Sequence, residues 1–207
     1  DSGLVDLADI TGVAARPLVP LSDAVSELAL TREAGQSLAK ATAMKNRGLT
    51  ADEAAAVHLY TTNHLYKRLN AALRNKDRTK VHEYLTYLRL LLHALHKLPA
   101  STRTLYRGVA VDLSKEYIVG SEVTWWAVSS CTPDLKVANS FASGGKAWTL
   151  FSIKPRTSVA IKHLSEYQHE EEFILAPGTQ FRVASVNRNG KAVEVELSEL
   201  ARARRVS

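Results

Sequence analysis

The sequence predicts an α+β protein, in which a helical part over residues 1–98 packs as a cap on a strand-rich part over residues 99–207. Two observations lead to this class. Apolar residues recur at helical spacing before Pro99, whereas short segments of β-branched and aromatic residues follow it. The composition changes at the same point, because all three tryptophans and six of the ten glycines lie after Pro99. We expect residues 1–207 to form one domain with these two subregions.

Four helical segments are predicted before Pro99. The first covers residues 21–45, which are rich in Ala, Leu, Glu and Lys, although Gly35 weakens the middle of the segment. Thr50 and Glu53 have the spacing of a capping box, which begins a second helix. Two apolar stripes with helical periodicity predict the remaining helices, and Pro99 ends the last of them. The stripes are Leu65, Leu69 and Leu73, followed by Val81, Leu85, Leu88, Leu92 and Leu95.

The part after Pro99 has the shorter period of β-strands. Turn-forming pairs such as Pro177-Gly178 and Asn189-Gly190 separate its segments. One helical segment, residues 134–142, interrupts the series, so the strands lack the regular crossover helices of a doubly wound nucleotide-binding fold. The sequence also has no standard glycine-rich phosphate loop. The predicted strands are 104–110, 122–128, 147–153, 157–161, 172–176, 179–186 and 192–197.

Charge and composition argue against several function classes. The net charge of +6 is spread evenly along the chain. The basic cluster over residues 67–80 has no interleaved aromatic residues, so we interpret it as a solvated helix face and not as a nucleic-acid site. No apolar run approaches the roughly 20 residues of a membrane-spanning helix. The single Cys131 forms neither an internal disulfide nor a cysteine zinc site, and His93 and His96 lack an evident third metal ligand. We therefore expect no nucleic-acid, membrane or metal partner.

Arg107 lies in an apolar strand, where a buried cation requires an anionic partner. The sequence leaves two explanations open: a structural ion pair, or a clamp for a phosphate or carboxylate of a ligand. The neighbouring Gly108 would let such a ligand approach the backbone.

Hydroxyl side chains cluster around Cys131, at the end of the strand predicted over residues 122–128. Ser129, Ser130 and Thr132 either form a capping turn before the helix that follows, or orient a neighbouring carboxylate or sugar.

Three consecutive glutamates, Glu170, Glu171 and Glu172, precede the apolar segment Phe173–Leu175. Solvent exposure is the simplest explanation of such a run. In an extended segment, however, Glu170 and Glu172 would share one face. In such a pair, one carboxylate can act as an acid or base while the other stabilises a cation. Alternatively, both can bind a guanidinium group.

In this order and in these contexts, the motifs resemble those of the mono-ADP-ribosyltransferases, in particular the branch with an Arg…Ser-Thr-Ser…Glu-x-Glu signature found in many bacterial toxins and effectors. The resemblance covers residues 99–186 and extends to a helix containing Tyr60 and to the segment Tyr66–Asn70. It implies a helical cap on a mostly antiparallel β-sandwich core. It also implies NAD as co-substrate and no metal.

The resemblance assigns a role to each matching residue. Arg107 corresponds to the arginine that holds the NAD phosphates, and Gly108 to the residue whose backbone bonds the nicotinamide amide. Phe141 stands where relatives place an aromatic residue against nicotinamide, and residues 143–146 would form a short loop nearby. The residues implied in NAD binding are Arg107, Gly108, Ser130, Thr132 and Phe141.

The same resemblance makes Glu172 the catalytic glutamate, Ser130 the serine that positions it, and Glu170 the first acid of the pair. Loss of nicotinamide builds positive charge on the ribose, which the Glu172 carboxylate would stabilise. Glu170 would orient an acceptor guanidinium and take its proton. The string Gln168-His169-Glu170 offers a second register, associated with other acceptors, but the family's catalytic acid directly precedes the apolar strand.

The predicted activity is transfer of ADP-ribose from NAD to an arginine of a target protein, catalysed by Glu172, Glu170, Ser130 and Arg107. Alternatives are an NAD glycohydrolase on the same scaffold, transfer to a non-arginine acceptor, and an inactive module that binds NAD or a partner. We expect a monomer that is secreted or delivered into the cytoplasm of a host cell, with a cytoplasmic protein as the alternative. A domain from a longer chain is also compatible, because the sequence begins at Asp1.

Overall fold

The computed structural model describes residues 12–142 and 146–201. Within them, the helices α1 to α5 precede Pro99, and α6 lies among the strands. Single-turn or short 3₁₀ segments cover Ser26–Leu28, Arg78–Tyr84 and Lys162–Leu164. The helices are α1 (Leu21–Ala24), α2 (Thr31–Ala41), α3 (Ala51–Thr61), α4 (Tyr66–Arg74), α5 (Leu85–Lys97) and α6 (Leu135–Ala142).

The local helix signals are confirmed. Thr50 accepts a hydrogen bond from the Glu53 backbone at 3.2 Å, and the Glu53 carboxylate accepts one from the Thr50 backbone at 2.9 Å, so the capping box begins α3. The residues of both apolar stripes are buried. The single helix over 21–45 is wrong, because Ala29 adopts a left-handed backbone (φ 55°) that separates α1 and a 3₁₀ turn from α2.

The strands form two sheets whose pairs are antiparallel except for β5 with β9. One sheet has the order β1-β6-β7-β4, and the other has the order β2-β5-β9-β8-β3. The strands are β1 (Ala100–Ser101), β2 (Leu105–Val109), β3 (Glu122–Trp125), β4 (Ser129–Cys131), β5 (Trp148–Lys154), β6 (Ser158–Ala160), β7 (Phe173–Leu175), β8 (Thr179–Asn189) and β9 (Ala192–Glu199).

The strand predicted over 122–128 is too long, because β3 ends at Trp125. β3 pairs with β8, whereas the hydroxyl run after Val128 forms a separate strand, β4, that pairs with β7 of the other sheet. The chain crosses between the sheets at Val128, where the Asn70 side chain accepts from the Val128 N–H at 3.1 Å and donates to its C=O at 3.2 Å. These bonds to a side chain replace the ladder partners that a continuous strand would have provided.

Two apolar cores arrange the molecule in three layers. Residues on alternate sides of β7 belong to different cores: Ile174 packs with the helices, whereas Phe173 and Leu175 pack with the second sheet. Rings of Phe151, Phe181 and Trp125 meet in the core between the sheets. The four-stranded sheet therefore lies between the helical layer and the five-stranded sheet, which confirms the α+β class with a helical cap. None of the helices in the described parts is both long and apolar enough to cross a membrane.

Candidate active site

The edges of the two sheets meet at Tyr106 and Thr132. The backbone N–H of each residue donates to the C=O of the other, at 2.7 and 3.0 Å, and this isolated bridge joins β2 to the end of β4. Arg107 and Ser130 are consequently neighbours, and the Arg107 guanidinium donates to the Ser130 C=O at 2.7 Å.

Among residues 12–142 and 146–201, no carboxylate lies within ion-pair distance of Arg107, which is half-buried. A structural ion pair with these residues therefore does not explain this cation. A second guanidinium lies nearby, on the last residue of α4. Desolvation and, to a smaller extent, the charge of Arg107 lower the pKa of Arg74. Two neighbouring guanidinium groups form a site suited to a phosphate group or another anion.

Glu172 lies directly before β7 and contacts two serine hydroxyls. Ser130 donates to Glu172 Oε1 at 2.7 Å, and Ser165 donates to Oε2 at 3.4 Å. Burial of the carboxyl, joined by the negative charge of Glu170, raises the pKa of Glu172 above its usual value, and the two hydroxyls oppose the shift. The structure thus brings Ser130 and Glu172 together, and the Ser130 hydroxyl orients the Glu172 carboxylate.

Glu170 lies at a bend two residues before Glu172, and a shared face for the two carboxylates stays a prediction. Residues 168–170 form a turn, in which the Glu170 backbone donates to the Tyr167 C=O at 3.1 Å. The Glu170 side chain is half exposed, and its charge nevertheless acts on Glu172. Glu171 points elsewhere, because its carboxylate lies 3.7 Å from the exposed Arg103 guanidinium.

Gly108 allows α6 to pack against β2. A Cβ on Gly108 would lie 2.0 Å from the Ala138 carbonyl oxygen and 3.0 Å from the Ala142 Cβ. The missing side chain therefore makes room for a helix rather than for a ligand on that side of the strand. The same helix carries Phe141, which is 67% exposed.

Thr132 belongs to a turn that begins α6. Its hydroxyl oxygen accepts from the Asp134 backbone at 3.1 Å, and the Asp134 carboxylate accepts from the Lys136 backbone at 2.8 Å. The capping explanation therefore applies to Thr132, whereas Ser130 bonds the carboxylate of Glu172. The predicted loop over 143–146 falls largely on residues 143–145, which lie outside the described residues.

The interpretation of the motifs missed several residues near Glu172. The buried Tyr60 hydroxyl donates to the Val128 C=O at 3.2 Å, and burial raises the pKa of Tyr60 to about 12, with a smaller effect from the charge of Glu172. Ser165 gave no signal in the sequence, because it lies in a polar loop. Tyr60 and Asn70 belong to the helical stretch that resembles the family, and Arg74 follows on the same face of α4 four residues after Asn70.

Other candidate groups have structural explanations. His93 lies 3.5 Å from the Glu53 carboxylate, which also accepts from Lys97 at 2.8 Å. The part of the chain that the structure describes contains no group of three or more His, Cys, Asp or Glu side chains able to hold a metal ion.

The fold is shared with solved structures of bacterial effectors and ADP-ribosyltransferases. The type III effector XopAI of Xanthomonas axonopodis pv. citri shares the fold with a TM-score of 0.72 at 19% identity, over 94% of each chain. The ADP-ribosyltransferase Vis of Vibrio splendidus, in complex with agmatine, has a TM-score of 0.65 at 23% identity, over 94% of this chain and 92% of Vis.

The chain belongs to the NAD:arginine ADP-ribosyltransferase family, whose sequence model matches residues 23–205. The NAD(+)–protein-arginine ADP-ribosyltransferase Tre1 of Serratia proteamaculans is 30% identical over 166 residues, which are 73% of this chain and 34% of Tre1. The chain thus spans about a third of the length of this relative. The predicted family is confirmed, and its name carries the enzyme class and the NAD co-substrate that the resemblance implied.

Proposed function

We propose that this chain transfers ADP-ribose from NAD to an arginine side chain of a target protein and releases nicotinamide. The observation that carries the proposal is the 2.7 Å hydrogen bond between Ser130 and Glu172, directly beside the Arg107 guanidinium. A carboxylate held by a neutral hydroxyl lies here next to a guanidinium that has no carboxylate partner among the described residues. Such a site suits a substrate with both an anionic group and a carbon centre that becomes positive. NAD has both features.

NAD binding in this proposal uses the edge of β2 and the residues that face it. The guanidinium groups of Arg107 and Arg74 bind the diphosphate, because an anion between them would offset both the desolvation of Arg74 and the smaller repulsion from Arg107 that together lower its pKa. The Gly108 backbone bonds the nicotinamide amide and Phe141 covers the ring. Ser130 and Thr132 complete the site from the end of β4.

The reaction begins with cleavage of the bond between ribose C1′ and the nicotinamide nitrogen. The bonding electron pair leaves with nicotinamide, whose ring becomes neutral, and the ribose becomes an oxocarbenium-like cation. The Glu172 carboxylate, oriented by Ser130 and Ser165, bonds the ribose hydroxyls and stabilises this cation. A neutral leaving group requires no general acid.

The acceptor guanidinium then forms a new bond from one of its nitrogens to C1′. That nitrogen must lose a proton, since a guanidinium is fully protonated near neutral pH. Glu170 is half exposed on the turn beside Glu172, which suits a group that meets a side chain of another protein, orients it and accepts its proton. The proton passes from Glu170 to solvent.

The contact made by Ser130 also supports the register of the acidic motif. The hydroxyl bonds Glu172 and not Glu170, so the acid two residues before the catalytic one is Glu170, and Gln168 lies outside the pair. Arginine as acceptor agrees with the protein-arginine activity in the name of Tre1 and with agmatine, a guanidinium compound, bound to Vis.

Nicotinamide release from NAD, with and without agmatine, tests the proposal on three matched variants: Glu170→Gln, Glu171→Gln and Glu172→Gln. We expect agmatine to accelerate release by the unmodified chain and by Glu171→Gln. Glu172→Gln should lose release altogether, whereas Glu170→Gln should keep hydrolysis of NAD and lose the acceleration by agmatine. Release that ignores agmatine in the unmodified chain would instead identify a glycohydrolase or a non-arginine acceptor. An absence of NAD turnover would favour an inactive NAD- or partner-binding module.

We further propose that residues 1–207 act as a single domain and a monomer on a protein substrate with an accessible arginine. The family match over residues 23–205 supports one domain, because it includes both the helical layer and the sheets. Relatives of this fold include a type III effector, which favours secretion or delivery into the cytoplasm of a host cell.

A further inference from the structure

The carboxylate of Glu166 connects the loop that carries the acidic motif to two helices. We define the acidic loop as residues 165–172. Glu166 Oε2 lies 2.7 Å from His58 Nε2 on α3 and 2.5 Å from Lys40 Nζ on α2. The Glu166 backbone N–H donates to the hydroxyl oxygen of Thr61, also on α3, at 2.9 Å. Both the side chain and the main chain of this residue are thus attached to the helical layer.

The anchor for Glu166 is built into the interior. His58 is 2% exposed, and its second ring nitrogen lies 2.8 Å from the hydroxyl of Ser37, which is equally buried. Burial outweighs the attraction of Glu166 and lowers the pKa of His58, and the charge of Lys40 acts in the same direction as burial. A neutral His58 therefore donates from Nε2 to the ionised Glu166 and accepts at Nδ1 from Ser37. Buried polar groups with this degree of pairing fix a position sharply.

Within the acidic loop, the two proposed catalytic acids are attached differently. Glu172 is held from outside the loop, by Ser130 and by the Ile161 N–H, which donates to the Glu172 C=O at 3.0 Å. Among the described residues, only His169, in the same loop, lies within ion-pair distance of Glu170, at 3.6 Å. The position of Glu170 relative to Glu172 consequently depends on how the loop as a whole is anchored.

We propose that His58 and Glu166 form a latch that positions Glu170 for transfer to the acceptor, an inference that rests on the proposed function. The latch attaches the start of the acidic loop to α3, and Ser165 continues the attachment, because its hydroxyl accepts from the Tyr167 N–H at 3.0 Å and donates to Glu172. Release of the latch leaves Glu172 on Ser130 but frees Glu170. His58 and Glu166 are therefore positioning residues that favour transfer over hydrolysis of NAD.

Glu166→Ala tests the latch through the ratio of agmatine-dependent to agmatine-independent nicotinamide release. We expect kcat for transfer to fall by roughly tenfold or more, the scale of a lost charge-assisted hydrogen bond. Hydrolysis and the KM for NAD should stay within about twofold of the unmodified chain. Glu166→Gln keeps an acceptor for His58 and should restore much of the ratio. The matched control is Glu122→Gln, which removes an exposed ion pair with Arg182 on β8, at 3.0 Å, and should leave the ratio unchanged.

Thr61→Val provides a second variant, since it removes the bond to the Glu166 backbone with little change of shape, and thermal unfolding verifies that each variant is folded. A reduced transfer ratio in both Glu166→Ala and Thr61→Val supports the latch. An unchanged ratio, or an equal loss of transfer and hydrolysis, overturns the latch and leaves the proposed function standing. If agmatine has no effect on the unmodified chain, the proposed function fails, and the latch fails with it.

Discussion

Ser130 and Glu172 are 42 residues apart in the chain, yet the Ser130 hydroxyl donates to the Glu172 carboxylate at 2.7 Å. The contact follows from strand pairing, because Ser130 on β4 lies opposite Ile174 on β7, and Glu172 directly precedes β7. The hydroxyl bonds the ionised form of the carboxylate, so its removal both frees the side chain and makes the charge less favourable.

We expect Ser130→Ala to lower the turnover of NAD by about tenfold to a hundredfold, the range for one hydrogen bond to a charged group. Ser129→Ala is the matched control, since the neighbouring hydroxyl donates to the Ala127 C=O at 3.3 Å and not to Glu172. Steady-state nicotinamide release measures both variants. Equal activity of Ser130→Ala and the unmodified chain would contradict the assignment.

The pH dependence of NAD hydrolysis should have an acid limb set by Glu172. Burial and the charge of Glu170 raise the pKa of Glu172 above its usual 4.5. Only the ionised carboxylate stabilises a cation. The rate of NAD hydrolysis therefore decreases as the pH falls through that raised pKa. Glu170→Gln removes a like charge and should move the limb to lower pH. Ser130→Ala removes a bond to the ionised form and should move it to higher pH. Profiles of kcat/KM for agmatine-independent release test both signs, and limbs that coincide in all three proteins would exclude Glu172 as the titrating group.

Gly108 and Gly35 should respond to alanine in opposite directions. A methyl group on Gly108 would collide with the Ala138 carbonyl of α6, and we expect the free energy of unfolding to fall by about 2 kcal/mol or more. Apart from its chain neighbours and the backbone of its own helix, no described atom lies within 4 Å of a Cβ on Gly35, in the middle of α2. Alanine there should therefore raise the free energy of unfolding by about 0.5–1 kcal/mol. Urea unfolding of both variants measures the difference. A stable Gly108→Ala would show that α6 can move away from β2.

Cys131 should be unreactive in the folded protein. The residue is 4% exposed, and burial raises the pKa of its thiol to about 12, so almost none is present as thiolate at neutral pH. We expect a thiol reagent to label Cys131 only at the rate at which the chain unfolds, and rapidly in denaturant. Fast labelling of the native protein would mean that β4 opens locally.

Features that depend on neighbours in the sequence were predicted correctly. The capping box of Thr50 and Glu53, the apolar stripes of α4 and α5, and most strand segments depend on interactions within a few residues, which a linear pattern records. The order of the three motifs likewise indicated the family, and the match to the family's sequence model over residues 23–205 confirms it. Two local predictions failed: Ala29 interrupts the first helix, and the strand predicted over 122–128 ends at Trp125.

The sequence by itself therefore determined most of the elements, the family and the side chains of the three motifs. The tertiary structure decided which of these side chains meet. Val128 carries the chain from one sheet to the other because Asn70, 58 residues away, bonds both of its backbone groups. Glu166 contacts Lys40 across 126 residues, and Ser165 joins Ser130 at the carboxylate of Glu172. No local pattern encodes such contacts, because they arise only when pairing of β4 with β7 and packing of helices on that sheet bring distant segments together.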